Sequence, residues 1–192
     1  MNIISDLKST LVEADRILVI GCPGSGKSTL AKRLSRTLDL RYISMDRDFY
    51  WLPGWRKRSR EEIDRLIAEA VAEERWIMDG TGLNSFHLRL PRAEAVIWLR
   101  PPRYTCLYGA VSRTFRYFGR NRPELPPGCP ERLSLNALAY IWNFERDAVP
   151  LIKVALREHI DSIATHSPEV PVLQLKSRRQ MRELLDLLGR PA

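Results

Sequence analysis

The sequence predicts an α/β fold with a parallel sheet, and three observations carry that prediction. Short apolar runs alternate with helical patterns along the chain, the order that builds strand–helix–strand units. One junction between them, Gly21 to Ser28, reads Gly-Cys-Pro-Gly-Ser-Gly-Lys-Ser and fits G-x-x-x-x-G-K-[ST] without a gap. The chain of 192 residues, 44% hydrophobic and 28% charged, is long enough for one core that needs neither disulfide nor structural metal.

Each element follows from its residues. Arg16 to Ile20 reads as a strand, because Ile17 to Ile20 is a continuous apolar run, as a strand covered on both faces requires. Lys27 to Leu38 places Leu30, Leu34 and Leu38 on one helical face. Arg41 to Met45 reads as the second strand and ends at Asp46; a loop with Pro53-Gly54 comes next. Ser59-Arg-Glu-Glu62 is a capping box, and Ile63, Leu66, Ile67, Ala70 and Val71 continue it as an apolar stripe. Trp76 to Met78 is a third strand that runs into Asp79-Gly80, and Ala95 to Leu99 is a fourth, closed by Pro101-Pro102. Tyr104 to Tyr117 reads as a helix and Gly119 to Pro130 as a Gly/Pro-rich loop. Ser134 to about Asn143 reads as a helix, and Pro150 breaks or kinks the chain beyond it. Val170 to Leu175 is a weaker strand that Pro171 pushes toward a sheet edge. Ser177-Arg-Arg-Gln180 caps a terminal helix that Gly189 and Pro191 end.

The glycine-rich junction carries the clearest chemistry. Glycines let a loop wrap so that its N–H groups point inward, and the following helix adds positive potential at its N-terminus. The stretch Gly21, Cys22, Pro23, Gly24, Ser25, Gly26, Lys27, Ser28 and Thr29 is therefore the predicted cradle for the phosphates of ATP. Lys27 would reach the β- and γ-phosphates, and Ser28 would ligate Mg²⁺. Ligands of an open α/β sheet bind at the carboxyl ends of strands, where Asp46, Asp48 and Asp79 fall. Asp79 has the form of the acid that holds Mg²⁺ or its waters. Asp46 could do the same, or accept a proton from an attacking hydroxyl. Asp48 could share these roles or cap its own turn.

The net charge is +8, and the segments Arg100–Arg132 and Val172–Ala192 hold all of it, with nets of +5 and +3. Arginine forks bind phosphate in paired hydrogen bonds, so nucleotide and nucleic acid both fit as polyanions. Arg113, Arg116, Arg120 and Arg122 lie where a helix enters the Gly/Pro-rich loop, which suits a lid that closes over ATP. Trp51 and Trp55 bracket Pro53-Gly54 and could wall an acceptor pocket. His87, His159 and His166 do not group at ligand spacing. Apolar runs are too short to span a bilayer, and the first residues lack a signal-peptide pattern. Three cysteines without a CxxC pair complete the expectation of a reduced, cytoplasmic protein with no membrane partner.

The run from Arg16 to about Leu156 resembles the bacterial DNA topology modulation (FlaR-related) proteins, grouped beside adenylate kinases. The pieces that carry the resemblance are GCPGSGKSTLAKRL, MDRDFYWLPGW, WIMDG, AVIWLRPPR and GCPERLSLNALAYIWNF. It implies one P-loop NTPase domain over residues 1–192, nucleoside/nucleotide kinase-like. The implied parts are a five-stranded parallel sheet flanked by helices, an acceptor insert at about 47–73 and a lid at about 113–132.

Arg116-Tyr-Phe-Gly-Arg120 is similar to the lid entry of adenylate kinases, which implies that Arg116 stacks on adenine and Arg120 meets the moving phosphoryl group. Asp46-Arg-Asp48 is similar to the D-x-D of shikimate kinases. The segment Lys176 to Arg179, with Arg178, lies where related kinases cradle adenine. Asp79-Gly-Thr-Gly-Leu83 departs from the D-G-F-P-R of adenylate kinases, which argues against AMP as acceptor. The expected activity is ATP- and Mg²⁺-dependent phosphoryl transfer to a small molecule, a nucleoside or nucleotide first. A small hydroxy acid as acceptor, or an ATP-binding DNA-associated regulator, are the alternatives. No DNA-reading module is visible.

Overall fold

A computed structural model describes residues 9–132, 134–163 and 170–189, without the side chains of residues 160–163. Five strands form one parallel sheet: β1 (Arg16–Gly21), β2 (Arg41–Ser44), β5 (Trp76–Asp79), β6 (Ala95–Leu99) and β7 (Val172–Leu175). Their spatial order is β2-β5-β1-β6-β7. β1 is central, with Val19 opposite Asp79 on one side and Ile97 on the other. The connection out of β1 runs to β2 on one side, and the connection out of β5 passes β1 to β6 on the other, so the crevice at their carboxyl ends is the topological switch point where such sheets bind ligands.

The pleat divides the core in two. Ile17, Val19, Ile77, Ile97 and Leu99 face one way and meet Leu30 and Leu34 of helix α1 (Lys27–Leu38) and Leu184 of a later helix. Leu18, Ile20, Trp76, Met78, Val96 and Trp98 face the other way and meet the remaining helices. Successive strand residues point to opposite faces, so an uninterrupted apolar run is what a strand with helices on both sides needs.

The helices that follow α1 are α2 (Arg60–Val71), the short α3 (Phe86–Arg89), α4 (Arg103–Tyr117), α5 (Leu135–Asp147) and α6 (Val149–Ile163), on the second face, and α7 (Arg178–Leu188), which joins α1 on the first. The Ser59 hydroxyl accepts from the Glu62 N–H, and that of Ser177 accepts from the Gln180 N–H, so both predicted capping residues sit at their caps. α5 runs four residues beyond the expected end, to Asp147. The break falls at Ala148, and Pro150 occupies the first turn of α6, where its missing N–H costs nothing. β7 is an edge strand, as Pro171 predicted. His166 and Pro191 lie outside the described residues.

The largest local departure comes after β2. The strand stops at Ser44, and Met45–Tyr50 forms a π-helical turn. The Ser44 hydroxyl accepts from the Arg47 N–H, and the Asp48 carboxylate accepts from the Ser44 N–H at 2.8 Å. The chain then makes a two-stranded hairpin, β3 (Trp51–Leu52) with β4 (Arg56–Lys57), where the sequence showed only a loop.

Candidate active site

The loop from Gly21 to Gly26 connects β1 to α1 at the carboxyl edge of the sheet. Gly24 is held at φ +78°, and a Cβ there would come within 2.0 Å of the Cys106 carbonyl oxygen. Helix α4 therefore presses on the loop, and only glycine fits at the contact. Gly26 caps α1 without a side-chain hydrogen bond, and the first turn of α1 holds no acid. That leaves an uncompensated positive helix end facing the cleft. Thr81, which no sequence motif marked, braces the base of the loop. Its hydroxyl accepts from the Gly21 N–H at 2.9 Å and donates to the Gly21 carbonyl at 2.7 Å.

The loop opens on a cleft of about 940 Å³. Gly21, Pro23, Gly24, Ser25, Gly26, Lys27, Ser28 and Thr29 line it, together with Asp46, Asp79, Arg113, Arg116 and Arg178. Of the predicted phosphate-loop and lid residues, Cys22 and Arg120 do not line it. Cys22 is buried behind the loop, and a hydrogen bond with Cys106, together with burial, pushes its thiol pKa up. It shapes the loop's rear wall and is no nucleophile. Arg120 is exposed on the loop after α4, because that helix ends at Tyr117 and the chain turns at Gly119. Arg122, two residues on, lines the cleft instead.

Lys27 folds back to donate to the Cys22 carbonyl at 3.0 Å. Burial lowers its pKa, and the neighbouring Asp79 opposes that shift. Asp79 sits at the end of β5, 6% exposed; burial raises its pKa, against the pull of Lys27 and of the nearby Ser28 hydroxyl. The Tyr42 hydroxyl donates to Asp79 Oδ2 at 3.2 Å, while Oδ1 is buried without a hydrogen-bond partner. A buried carboxylate oxygen left open beside a serine hydroxyl suits Mg²⁺ or a water of its shell. The pair Ser28 and Asp79 thus fits the metal, and the loop with Lys27 fits the phosphates.

On the opposite wall, Arg122 donates to Asp46 Oδ2 at 3.2 Å. Asp46 is 46% exposed along its side chain, and Arg122 only 9%. Arg122 Nε also lies 3.0 Å from Oε2 of the buried Glu131, and Arg113 lies 3.4 Å from Oε1 of the same carboxylate. Burial and the charge of Arg122 push the Arg113 pKa down. Asp48 is spent on its own turn and on an ion pair with Arg47, which is the capping alternative.

At the other end of the cleft, Arg178 lies 5.7 Å from the Tyr108 ring, and Arg116, Tyr117 and Met181 complete the wall. Trp51 and Trp55 do not line the cleft; they stack edge to face on each other in the hairpin. Arg89, a second residue the sequence did not single out, is fully buried and donates to the carbonyls of Gly80, Thr81 and Gly82 and to the Ser85 hydroxyl. Burial lowers its pKa to about 10. It fixes the chain beyond Asp79, and no local pattern in the sequence distinguishes it from a surface arginine.

Sheet order, loop and flanking helices define a P-loop NTPase fold. A family model described as an AAA domain matches residues 17–108. A shikimate kinase from Francisella tularensis subsp. novicida (strain U112) is 35% identical over 86 residues, covering 38% of this chain and 47% of that protein. One from Francisella philomiragia subsp. philomiragia is 34% identical with the same coverage. The chain thus spans about half the length of the curated relatives it matches. In three dimensions it is similar to shikimate kinase from Acinetobacter baumannii in complex with shikimate, with a TM-score of 0.55 and 16% identity over 94% of this chain and 96% of that one. That likeness is one of fold. Among the described residues no helix is long and apolar enough to cross a membrane.

Proposed function

We propose that this protein transfers the γ-phosphoryl group of ATP to a hydroxyl of a small-molecule acceptor. The observation that carries the proposal is convergence. The P-loop with Lys27, the Ser28–Asp79 pair and the Arg122–Asp46 pair face one cleft from different elements. In phosphoryl transfer the protein mainly positions reactants and stabilises spreading negative charge. Lys27 and the loop N–H groups hold the β- and γ-phosphates. Ser28 and Asp79 would hold Mg²⁺, which neutralises phosphate charge when bound. Asp46 orients the acceptor hydroxyl or takes its proton, and Arg122 and Arg113 face the oxygens of the moving group. Arg116 and Arg178, beside Tyr108, take the base end of the nucleotide.

For the acceptor, the named relatives favour a small hydroxy acid over the nucleoside or nucleotide that the lid motif suggested. The wall beyond Asp46 offers Tyr50 and Tyr140 as polar contacts. Of the expected acceptor insert at about 47–73, Tyr50 is the residue that lines the cleft, and about 113–132 serve as the lid of one domain. A DNA-associated role rests on the resemblance and the arginine excess alone, and no feature of the cleft favours it. ADP formation from Mg·ATP, measured against nucleosides, nucleoside monophosphates and cyclic and linear hydroxy acids, tests the proposal. Acceptor-dependent ADP that disappears in Lys27→Ala is expected. ATP binding without stimulation by any acceptor class would count against it.

A further inference from the structure

Two sequence motifs have no role in the chemistry above: Trp51-Leu-Pro-Gly-Trp55 and Gly128-Cys-Pro-Glu-Arg132. Trp55 and Cys129 are 74 residues apart along the chain, yet the two motifs meet in the structure. The Gly54 N–H donates to the Gly128 carbonyl at 3.2 Å, and the Trp55 N–H points to Cys129 Sγ, also at 3.2 Å. Cys129 is fully buried and its thiol donates to the Leu52 carbonyl at 3.4 Å. Trp55 Nε1 donates to the Pro130 carbonyl, and Arg132 lies over the Trp55 ring. Trp55 itself stands at φ +61°, a conformation an aromatic residue keeps only where its surroundings impose it.

Glu131 lies directly after this clasp. Its backbone closes the lid loop, accepting from the Gly119 N–H and donating to the Arg120 carbonyl. Its carboxylate turns inward between Arg113 and Arg122, with the Thr114 hydroxyl 3.5 Å away. Two guanidinium groups that face each other at a partly dry wall repel, and Arg113 feels that repulsion. Glu131 and Asp46 are the two acids that balance them. Asp46 is the exposed one and faces incoming ligand, so Glu131 is the fixed counter-charge.

Resting on the kinase reading, we infer that Glu131 is a positioning residue. It holds Arg113 and Arg122 turned into the cleft, and the clasp on hairpin 51–57 holds Glu131. It touches neither nucleotide nor acceptor and acts through the arginines. Losing its charge would leave two neighbouring cations free to separate, and the oxygens of the moving phosphoryl group would lose a preorganised contact.

The test combines an arginine side-chain NMR measurement with a mutant cycle. The Nε–H resonance of Arg122, assigned by its loss in Arg122→Gln, is recorded without acceptor in the wild type, Glu131→Gln and Glu131→Asp. A resolved resonance in the wild type and in Glu131→Asp, absent in Glu131→Gln, is expected. In turnover, Glu131→Gln should lower kcat roughly ten- to a hundredfold with little change in the KM for ATP. Glu131→Asp should recover most of that loss. In a background that lacks both guanidinium groups, Arg113→Gln/Arg122→Gln, the same Glu131→Gln change should cost less than about twofold.

An unchanged Arg122 resonance in Glu131→Gln, or an equal loss in both backgrounds, would overturn the inference. If Glu131→Gln does not fold, Glu131→Asp carries the cycle, and its smaller loss must vanish when Arg113 and Arg122 are both replaced. Failure of the kinase reading would look different: no acceptor-dependent turnover in the wild type, with the resonances still dependent on the charge at position 131.

Discussion

The two walls of the cleft are built by different means. The phosphate-loop wall is set by backbone. Gly24 is pinned against the Cys106 carbonyl, and Thr81 bonds both polar groups of Gly21. The lid wall is set by charge, with Arg113, Arg122, Glu131 and Asp46 in one cluster and a clasp to a two-stranded hairpin behind it. Backbone geometry ties a site to one contiguous motif, whereas a charge cluster drawn from three separated segments has no fixed spacing along the chain. The first wall should tolerate almost no change, and the second should respond in graded steps.

The largest effect is expected where that contrast is sharpest. Lys27→Ala should lower kcat by about a thousandfold or more, since a single preorganised donor to developing charge is worth about 10²–10³. Steady-state kinetics with Mg·ATP checks it, and a loss under about tenfold would mean that the loop wall is not the catalytic one. On the lid wall, Arg122→Gln should cost about a hundredfold and Arg120→Gln less than about fivefold. The reverse ranking would restore the role that the adenylate kinase resemblance gives to Arg120.

The sequence made the first wall legible and the second only in part. The strand–loop–helix context of Gly21 to Ser28, the helix Lys27–Leu38 and the strand Ala95–Leu99 are visible because local periodicity and glycine spacing dictate them. The capping residues Ser59 and Ser177 were readable for the same reason. The arginine segment could be placed near the cleft, but that Arg122 rather than Arg120 faces it depends on α4 ending at Tyr117 and on the turn at Gly119. Arg89 and Glu131 were not singled out, although the second sits inside the GCPER motif, because pairing with backbone carbonyls or with guanidinium groups of other elements follows no local spacing. Trp51 and Trp55, marked as a possible acceptor wall, belong to the clasp, and a tryptophan's sequence position does not say which surface it covers.

Smaller effects sharpen the contrast through pH. Asp79 has its pKa raised above the ordinary aspartate value of 3.8 by burial. The folded state therefore holds this proton more tightly than the unfolded chain. The stabilisation from the group is full below that value and is lost as pH rises through the folded-state pKa. Asp79→Asn should remove this decline, so its denaturant midpoint should gain on the wild type as pH rises from about 4. Mg²⁺-dependent ATP affinity of the wild type should rise over the same window, because a metal ligand must be deprotonated. A wild type and variant with parallel pH–stability curves would remove the buried-carboxylate account of Asp79.

The smallest effect belongs to the clasp. Cys129→Ala removes a buried thiol and its two contacts with the hairpin, and should destabilise by about 1–2 kcal/mol in chemical denaturation. ATP affinity should change less than about twofold, since no atom of Cys129 lines the cleft. A large loss of ATP affinity would show that the clasp governs the loop wall as well, and the two walls would no longer be separable.

The most direct measurement tracks the γ-phosphoryl group itself. With γ-labelled ATP, Mg²⁺ and the acceptor panel, label should appear in an organic phosphate, and that transfer should fall in both Lys27→Ala and Arg122→Gln. Label released only as inorganic phosphate, at one rate with or without acceptor, would contradict the assignment of the Asp46 wall to an acceptor.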